Sequence, residues 1–526
     1  MLVLGRTFLQ SAERNPGAVA LVDGDLRLTY AQWAMRIGAA ARGLRELGLQ
    51  RGDHLLSILQ NRHEAATLHW ACQFAGIIIT PLNWRAKPEE IDHCLADSAA
   101  TVLVFEAASA ASVSESLLAP GVIRAGVGQP AGATHSFEDL FQGADEPVPL
   151  ASANDWSLML YTSGTTGKPK GVPRRQRAER IAALAHVAQN RYSYGECTLG
   201  VMPLYHTMGV RSLLAIALLD GRFVCMPRFD AALALRAIAS EQVSHLYLVP
   251  TLYHDLLAHP DFANTDIHTV RKLGFAGAPM HDGLLNRLDR AFNPELFVNH
   301  YGSSEIYTFS INQAAVSKPG SAGKAGINGR LRVVKLDAGS PDQVCVPRQE
   351  GQIIADLLCD EAFEGYHNRP DANEKALRDG WYFTGDTGYF DASGDLFVTG
   401  RVDDMIISGG ENISPVDIES VLSLHPAVDE VAVAGIQDDR WGQRVVAFVK
   451  RRSEVSTEGL DGHCRNSDLV NFKRPREYVF VREIPKSPVG KVLRRELVAG
   501  RYLRDGEPER ATTAASHTTS TSKENL

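Results

Sequence analysis

Thr162-Ser163-Gly164-Thr165-Thr166-Gly167-Lys168-Pro169-Lys170-Gly171 brings glycines, hydroxyl side chains and two lysines together in one short stretch. Glycines let several backbone N–H groups point at one anion, and the hydroxyl and ammonium groups add donors and positive charge around phosphate oxygens. The spacing is not that of a Walker A loop, because only two residues separate Gly164 from Gly167 and Pro169 follows Lys168. The stretch predicts a phosphate-binding loop that serves another nucleotide chemistry.

The sequence around this loop predicts an α/β fold. The loop directly follows a strand candidate at 158–161, and open α/β sheets bind their ligands at strand ends. Short apolar runs alternate with a helical pattern at 64–74, which favours a mostly parallel sheet covered by helices. The other strand candidates of this part are 56–59, 76–79, 101–105 and 246–249.

From residue 351 the pattern changes to short strands broken by Gly and Asp, at 352–355 and 395–398, which predicts a small β-rich subdomain. After about residue 400, a helix at 415–424 and strands at 430–434 and 445–449 predict a small, separate α+β domain. Residues 506–526 are rich in Ser, Thr and charge, so we expect a disordered tail.

Bulk composition excludes several function classes. The net charge of −8, with no basic run, argues against nucleic acid or an anionic membrane as a main partner. No apolar run approaches the roughly 20 residues of a membrane-spanning helix. The seven cysteines form no Cys-x-x-Cys pair and the first residues do not follow a signal-peptide pattern, so we expect a reduced, cytoplasmic location without a zinc site.

Four further motifs follow the loop in order. They are Tyr301-Gly302-Ser303-Ser304-Glu305, Tyr382-Phe383-Thr384-Gly385-Asp386, Gly400-Arg401-Val402-Asp403-Asp404 and Pro488-Val489-Gly490-Lys491. Together with the loop they resemble the motifs of the adenylate-forming superfamily, which includes acyl-CoA and aryl-CoA ligases, luciferases and nonribosomal adenylation domains. Ser304 is a departure, since threonine is usual there.

The resemblance implies an enzyme that joins a carboxylate to ATP, releases pyrophosphate, and transfers the acyl group to coenzyme A. It implies an N-terminal AMP-binding domain over 1–400, a hinge at 401–404 about Asp403, and a mobile C-terminal domain over 405–505. It also implies ATP and Mg²⁺ as cofactors, with Glu305 as the metal ligand and Lys491 as a catalytic residue over the α-phosphate. The nucleotide would be held by Thr162, Ser163, Gly164, Thr165, Thr166, Gly167, Lys170, Gly277, Ala278, Pro279, Tyr301, Ser304, Asp386 and Arg401.

Two further sets of residues rest on the same resemblance. Coenzyme A is expected to contact Gly409, Gly410, Trp441, Phe472, Lys473, Arg474 and Arg476. The acid pocket is expected to involve Ala185, His206, Thr207, Met208, Tyr247, His300, Gly302 and Tyr307, with His206 as a catalytic gate. In detail the C-terminal motifs look like those of chlorobenzoate-CoA ligase and its aryl-CoA ligase relatives, which implies a benzoate-type acid. Ala185 and the polar tips of the pocket favour a larger or hydroxylated ring.

Alternatives stay open at this point. A hydroxycinnamate or medium-chain fatty acid is the same-class alternative, and a stand-alone adenylation domain that loads a carrier protein is another. A nucleotide-binding scaffold without turnover is disfavoured because Lys491 and Glu305 are both present. The sequence does not determine the oligomeric state, and a homodimer is one option.

Overall fold

The protein is described here from a computed structural model that covers residues 2–162, 169–486 and 492–507. These residues form two compact units. The N-terminal unit contains the chain up to Met405 together with Lys486, and the C-terminal unit contains Ile406–Pro485 and the residues from Val492. The expected tail lies outside the described residues from position 508.

The first third of the N-terminal unit alternates strands and helices. Its elements are α1 (Leu4–Arg14), β1 (Val19–Asp23), β2 (Leu26–Thr29), α2 (Tyr30–Glu46), β3 (His54–Ile58), α3 (His63–Ala75), β4 (Ile78–Pro81), α4 (Pro88–Ser98), β5 (Val102–Glu106), α5 (Ala110–Glu115), β6 (Ile123–Val127), β7 (His135–Ser136), β8 (Trp156–Thr162) and β9 (Lys170–Arg175). Seven of these strands form one sheet in the order β7-β6-β5-β3-β4-β8-β9. Every pair in it is parallel except the last, β8 with β9.

A second, larger sheet begins with β1 and β2 and continues through the next segment. The elements of that segment are α6 (Gln176–Gln189), β10 (Cys197–Gly200), α7 (Thr207–Leu218), β11 (Arg222–Cys225), α8 (Ala231–Glu241), β12 (His245–Leu248), α9 (Pro250–Ala258), β13 (Lys272–Phe275), α10 (Asp282–Phe292), β14 (Leu296–Tyr301), β15 (Ser310–Asn312), β16 (Ser321–Ala325) and β17 (Leu331–Val334). The strands β12, β13 and β14 are parallel neighbours, so their carboxyl ends meet at one edge.

The predicted β-rich segment is present, and it is joined to the larger sheet. It contains β18 (Gly351–Asp356), α11 (Pro370–Ala376), β19 (Leu377–Arg378), β20 (Trp381–Phe390) and β21 (Leu396–Arg401). These strands pair antiparallel, and β21 pairs with β16. The segment therefore extends one continuous sheet.

A layer of helices shares its core with both sheets. One apolar cluster includes Leu55 and Leu158 of the smaller sheet, Leu21 and Phe223 of the larger sheet, and side chains of α1, α2, α3, α6 and α7. Every residue of α3 from Glu64 onward is buried, as expected for a helix with packing partners on all sides. The α/β architecture predicted from the alternation of apolar runs is thus confirmed, with mostly parallel pairing in the smaller sheet and along β10 to β14 of the larger one. Among the described residues, no helix has the length and apolar character needed to cross a bilayer.

The C-terminal unit is a small α+β structure. Its elements are β22 (Ile406–Ser408), β23 (Glu411–Ile413), α12 (Pro415–Ser423), β24 (Val428–Asp438), β25 (Gly442–Arg451), α13 (Thr457–Arg465), β26 (Glu477–Phe480) and α14 (Arg494–Val498). The strands form one sheet in which β24 and β25 pair as a long antiparallel hairpin and β26 adds in parallel. Rotation of this unit about Asp403 stays a prediction.

One buried ion pair connects β9 to α6. Arg174 Nε donates to Glu179 Oε1 at 2.7 Å, and both side chains are 0% exposed. Arg174 Nη1 also donates to the backbone oxygens of Glu305, at 3.0 Å, and Glu361, at 2.6 Å. The guanidinium thus links the strand after the phosphate loop to two later segments of the chain.

We predict that Arg174→Met destabilises the N-terminal unit by about 3–5 kcal/mol, because it leaves the Glu179 carboxylate buried without its partner. The matched control is Arg175→Met, since Arg175 pairs with Glu364 while partly exposed. That change should cost about 1 kcal/mol or less. Urea unfolding followed by tryptophan fluorescence measures both. Equal losses of stability in the two variants would contradict the assignment.

Candidate active site

The phosphate loop joins the ends of two paired strands. Thr162 is the last residue of β8, Lys170 is the first of β9, and the two are register partners. The prediction that the loop follows a strand is confirmed. Ser163, Gly164, Thr165, Thr166 and Gly167 lie outside the described residues. Lys170 is half-buried, and its Nζ lies 4.0 Å from the ring centroid of Tyr366.

Glu305 lies beside Lys170 in the interior. Its side chain accepts a hydrogen bond from the Tyr366 hydroxyl to Oε1 at 2.7 Å, while no described residue donates to Oε2. Burial lowers the pKa of Lys170, and attraction to Glu305 acts in the opposite direction. A rigidly held carboxylate with one oxygen not bonded by the described chain fits a ligand for a hard divalent cation such as Mg²⁺.

The backbone of Glu305 is held as firmly as its side chain. Its N–H donates to Ser303 Oγ at 3.2 Å, and its carbonyl oxygen accepts from Phe363 N at 2.8 Å and from Arg174. Ser304, the departure from the expected threonine, is partly buried in the same turn. Gly302 is needed there because a Cβ would lie 2.1 Å from the carbonyl oxygen of Tyr307.

Three residues predicted to bind adenosine come together across separate strands. The Tyr301 hydroxyl donates to Asp386 Oδ2 at 2.6 Å, and Arg401 Nε lies 3.4 Å from Asp386 Oδ1. Burial, with the Asp386 charge beside it, raises the pKa of Tyr301 well above its usual value, so the phenol stays a donor. Gly385 has a left-handed φ of +77°, at an irregularity in β20 directly before Asp386. This arrangement places the partly buried Asp386 carboxylate beside Tyr301 and Arg401, and a carboxylate is a suitable acceptor for ribose hydroxyls.

Gly277, Ala278 and Pro279 follow β13 at the same edge of the sheet. Gly277 has a φ of +84°, and a Cβ there would lie 3.2 Å from Val249 Cγ1 and 3.8 Å from Met208 Sδ. Glycine therefore permits a close approach of this turn to β12 and α7. The predicted adenine-binding turn thus neighbours a residue of the predicted acid pocket.

The residues predicted for the acid pocket come from α6, α7, β12 and the end of β14. The rings of Tyr247 and His300 pack with centroids 5.2 Å apart. His206 is the N-cap of α7, where its Nδ1 accepts from Met208 N at 3.3 Å, and Thr207 and Met208 are buried in the first turn. Ala185 is buried on α6.

Some polar groups of these pocket residues already have hydrogen-bond partners in the protein. The Tyr307 hydroxyl donates to Glu179 Oε2 at 3.1 Å, and its ring lies between the guanidinium groups of Arg174, at 4.0 Å, and Arg211, at 5.2 Å. Both ring nitrogens of His300 have polar neighbours, Arg211 and Asn190. The hydroxyl of Tyr247 has no hydrogen-bond partner among the described residues.

Sequence reasoning missed several buried polar residues around this pocket. They are Arg174, Glu179, His186, Asn190, Arg211 and Glu361. Arg211 carried a signal, because it lies inside the apolar run of α7, where an unpaired charge is costly. The others carried none, since the contacts that bring them to the pocket, such as Arg174 with Glu361 and Asn190 with His300, join distant parts of the chain.

The C-terminal unit brings together part of the predicted coenzyme A surface. Gly409 and Gly410 form the turn between β22 and β23, with φ of +63° and +86°, values that favour glycine in a two-residue hairpin. Gly409 N donates to the carbonyl oxygen of Trp441 at 2.8 Å, and the Arg476 guanidinium lies 3.8 Å from the Trp441 ring centroid.

The neighbouring cations have acidic partners in the same unit. Lys473 Nζ donates to Asp417 Oδ2 at 2.7 Å, and Arg474 Nη1 lies 3.4 Å from Asp461 Oδ1. Phe472 is exposed. Both pairs are partly exposed to solvent, so an incoming phosphate can compete for these cations. Lys491, the predicted catalytic lysine, lies outside the described residues.

Comparison with known proteins identifies the chain's relatives. A family model described as AMP-binding enzyme matches residues 8–366, and one described as AMP-binding enzyme C-terminal domain matches residues 417–491. The chain is 34% identical to a 4-chlorobenzoate–CoA ligase of Arthrobacter sp over 93% of each chain. It is 33% identical to a feruloyl-CoA synthase of Amycolatopsis sp, over 94% of this chain and 98% of the other.

A long-chain-fatty-acid–CoA ligase of Mycobacterium tuberculosis is 32% identical over 93% of this chain and 97% of its own. Among solved structures, o-succinylbenzoate-CoA synthetase from Bacillus subtilis, in complex with its acyl-adenylate intermediate, matches with a TM-score of 0.80. That match has 28% identity and covers 93% of this chain and 97% of the other.

These matches span both units and agree with the ordered motifs. The protein is an acid–thiol ligase that works through an acyl-adenylate, with ATP and Mg²⁺ as cofactors and coenzyme A as a substrate. The chain belongs to the AMP-binding enzyme family.

Proposed function

We propose that this ligase activates a benzoate-type aromatic acid, hydroxylated rings included, and passes it to coenzyme A. The observation that carries the proposal is the packing of the Tyr247 and His300 rings, 5.2 Å apart, at the edge of the sheet that also holds Tyr301. Flat rings with polar tips suit a short aromatic acid better than a long alkyl chain. None of the positions assigned to the pocket is acidic, which disfavours an amino acid with its ammonium group.

In the first half-reaction the acid's carboxylate attacks the α-phosphate of ATP, and pyrophosphate leaves with the electron pair of the broken P–O bond. Bound Mg²⁺ neutralises charge on the phosphate oxygens. The loop from Thr162 to Lys170 would hold the outer phosphates, Glu305 would hold the metal, and Lys491 would stabilise charge that develops at the α-phosphate. Asp386 and Arg401 would orient the ribose.

In the second half-reaction the thiol of coenzyme A attacks the acyl carbon of the adenylate, and AMP leaves. We propose that the C-terminal unit rotates about Asp403 between the two steps, which withdraws Lys491. It would then present the Gly409-Gly410 turn and Trp441 to the pantetheine arm. His206, fixed by its cap on α7, would act as the gate between acid and thiol.

Two other substrates remain candidates because specific observations favour them. The 32% identity to a long-chain-fatty-acid–CoA ligase supports the fatty-acid alternative. Ala185 is a small buried residue in α6, which favours an acid with the longer side chain of a hydroxycinnamate. A carrier-protein arm in place of coenzyme A is the alternative thiol. Lys473 and Arg474 already pair with carboxylates. Comparing rates with coenzyme A and dephospho-coenzyme A tests whether these cations bind the phosphate that the second compound lacks.

We predict that Lys491→Ala lowers the rate of adenylate formation by about 10²–10³-fold, the usual loss for one positioned donor to developing charge. Thioester formation from a supplied acyl-adenylate should stay near the wild-type rate. Stopped-flow pyrophosphate release measures the first step and thioester absorbance measures the second. Lys450→Ala is the control, since Lys450 pairs with Asp429 and Glu430 within the C-terminal unit. Equal losses in both half-reactions would show that the lysine serves both.

Glu305→Gln should lower kcat/KM for ATP by about 100-fold and raise the Mg²⁺ concentration needed for half-maximal rate, because an amide is a poor ligand for a hard cation. Tyr366→Phe removes the hydrogen bond to Oε1 and keeps the carboxylate, so its loss should stay below about tenfold. A Mg²⁺ titration at saturating acid gives both values. An unchanged Mg²⁺ requirement in Glu305→Gln would remove Glu305 from the metal site.

The preferred acid should be a benzoate with a polar ring substituent. We expect its kcat/KM to exceed that of octanoate and of phenylalanine by at least about 100-fold, since an unsuited acid leaves buried polar groups unpaired. The measurement compares benzoate, hydroxybenzoates, halobenzoates, hydroxycinnamates and C6–C12 fatty acids at the same ATP and coenzyme A concentrations. A fatty acid with the highest kcat/KM would overturn the aryl proposal, and a hydroxycinnamate in first place would indicate a deeper pocket.

A further inference from the structure

Beside the predicted acid pocket, four buried polar side chains form a hydrogen-bonded row. Arg211 Nη1 lies 3.4 Å from His300 Nδ1, and His300 Nε2 lies 3.2 Å from Asn190 Oδ1. Asn190 Nδ2 then lies 3.0 Å from His186 Nδ1. All four side chains are buried, so each hydrogen bond forms away from water and strongly restricts the positions of the hydrogens.

Arg211 determines which atom donates and which accepts in each hydrogen bond of the row. A guanidinium only donates hydrogen bonds, so His300 Nδ1 must accept. A neutral imidazole carries one hydrogen, which therefore sits on His300 Nε2 and is donated to Asn190 Oδ1. Asn190 Nδ2 also lies 3.0 Å from His300 Nε2, but both atoms carry hydrogens and two donors do not bond each other. Burial lowers the pKa of His300 well below its usual value, which keeps the ring neutral.

The Asn190 amide in turn determines which ring nitrogen of His186 carries the hydrogen. Its Nδ2 donates to the backbone oxygen of His186 at 2.8 Å, and this contact fixes which amide atom faces α6. The same Nδ2 donates to His186 Nδ1. Burial also lowers the pKa of His186 well below its usual value. His186 is therefore neutral, with its hydrogen on Nε2.

The row ends in a donor without an acceptor. His186 Nε2 is buried and has no hydrogen-bond partner among the described residues, and the same holds for the hydroxyl of Tyr247. The two rings are in contact, with centroids 4.7 Å apart, and the His186 ring also packs against His300 at 5.2 Å. Buried donors are seldom left unpaired, because losing water without a replacement partner is costly. Two such groups on neighbouring rings point to a ligand.

We infer that His186 and Tyr247 bind an oxygen substituent on the ring of the acid, with His186 Nε2 as an obligatory donor. This inference rests on the proposed aryl substrate and narrows it to oxygenated benzoates, whose hydroxyl, methoxy or carboxyl oxygen accepts the hydrogen bond. A halogen or methyl group at the same ring position accepts it poorly or not at all. Asn190, His300 and Arg211 are positioning residues that set the tautomer of His186.

The test compares each hydroxybenzoate with the methylbenzoate substituted at the same ring position, because the two groups are similar in size. In the wild type, kcat/KM should favour the hydroxyl at one position. His186→Phe should lower that ratio by about 10–100-fold, since it removes the donor and keeps an aromatic ring. Tyr247→Phe, which deletes only a hydroxyl, should lower it by about tenfold. His186→Gln retains an N–H donor and should keep most of the preference.

His69→Phe is the matched control. His69 is also a fully buried histidine whose ring nitrogens have no described partner, but it lies on α3 away from this row. Its replacement should leave the hydroxyl-to-methyl ratio unchanged. An unchanged ratio in both His186→Phe and Tyr247→Phe would overturn the inference, as would an equal fall in His69→Phe.

A second measurement does not depend on turnover. Nitrogen-15 NMR of histidine-labelled protein, with His186→Gln used to assign the signal, should show His186 protonated at Nε2 and bare at Nδ1. Asn190→Leu should abolish this preference. A hydrogen on Nδ1 in the wild type would overturn the proposed row. If the NMR shows the expected tautomer but no aryl acid is a substrate, the proposed function is wrong while the hydrogen-bonded row is correct.

Discussion

The buried ion pair between Arg174 and Glu179 holds together the parts of the N-terminal unit that the chemistry needs. Arg174 lies on β9, the strand that leaves the phosphate loop, and Glu179 lies on α6, the helix that also carries Ala185 and His186. The same guanidinium bonds the backbone of Glu305 and the same carboxylate accepts from Tyr307. Two charges buried without water tolerate few alternative arrangements. The ion pair therefore fixes β9, α6 and the backbone of Glu305 relative to one another.

The end of β14 carries residues predicted for both substrates. Successive side chains of a strand point to opposite faces, and His300 and Tyr301 are neighbours at the end of β14. His300 joins the buried row with Asn190 and Arg211, while the Tyr301 hydroxyl bonds Asp386. Under the proposed function, the acid and the adenosine would bind on opposite faces of the same strand end. This geometry gives a physical reason why a carboxylate and an α-phosphate can meet without a covalent enzyme intermediate.

Much of this could be predicted from the sequence. Apolar periodicity located the strands that became β3, β5, β8 and β12, and the phosphate loop was correctly placed at a strand end. The motif around Tyr301 and the one ending at Asp386 were predicted to share adenosine, and the two side chains are hydrogen-bonded. Local sequence is enough to predict such strands and motifs because the spacing of apolar or motif residues lies within each element itself.

The parts that could not be predicted depend on pairing between distant segments. Arg174 and Glu361 are far apart in sequence, and so are Asn190 and His300, so no local spacing shows that they meet. The β-rich segment joins the larger sheet through one strand pair, β16 with β21. The apolar pattern of the sequence does not predict that these two strands pair. Lys473 and Arg474 were predicted as coenzyme A contacts, and their pairing with Asp417 and Asp461, which lie on other elements, has no local signal.

The most direct test of the whole account is rapid-quench detection of the intermediate with α-labelled ATP, Mg²⁺ and a hydroxybenzoate in the absence of coenzyme A. The account predicts an aryl-adenylate that accumulates to about one per active site and becomes AMP and thioester when coenzyme A is added. Label that appears as ADP, or no acid-dependent adenylate, would contradict it.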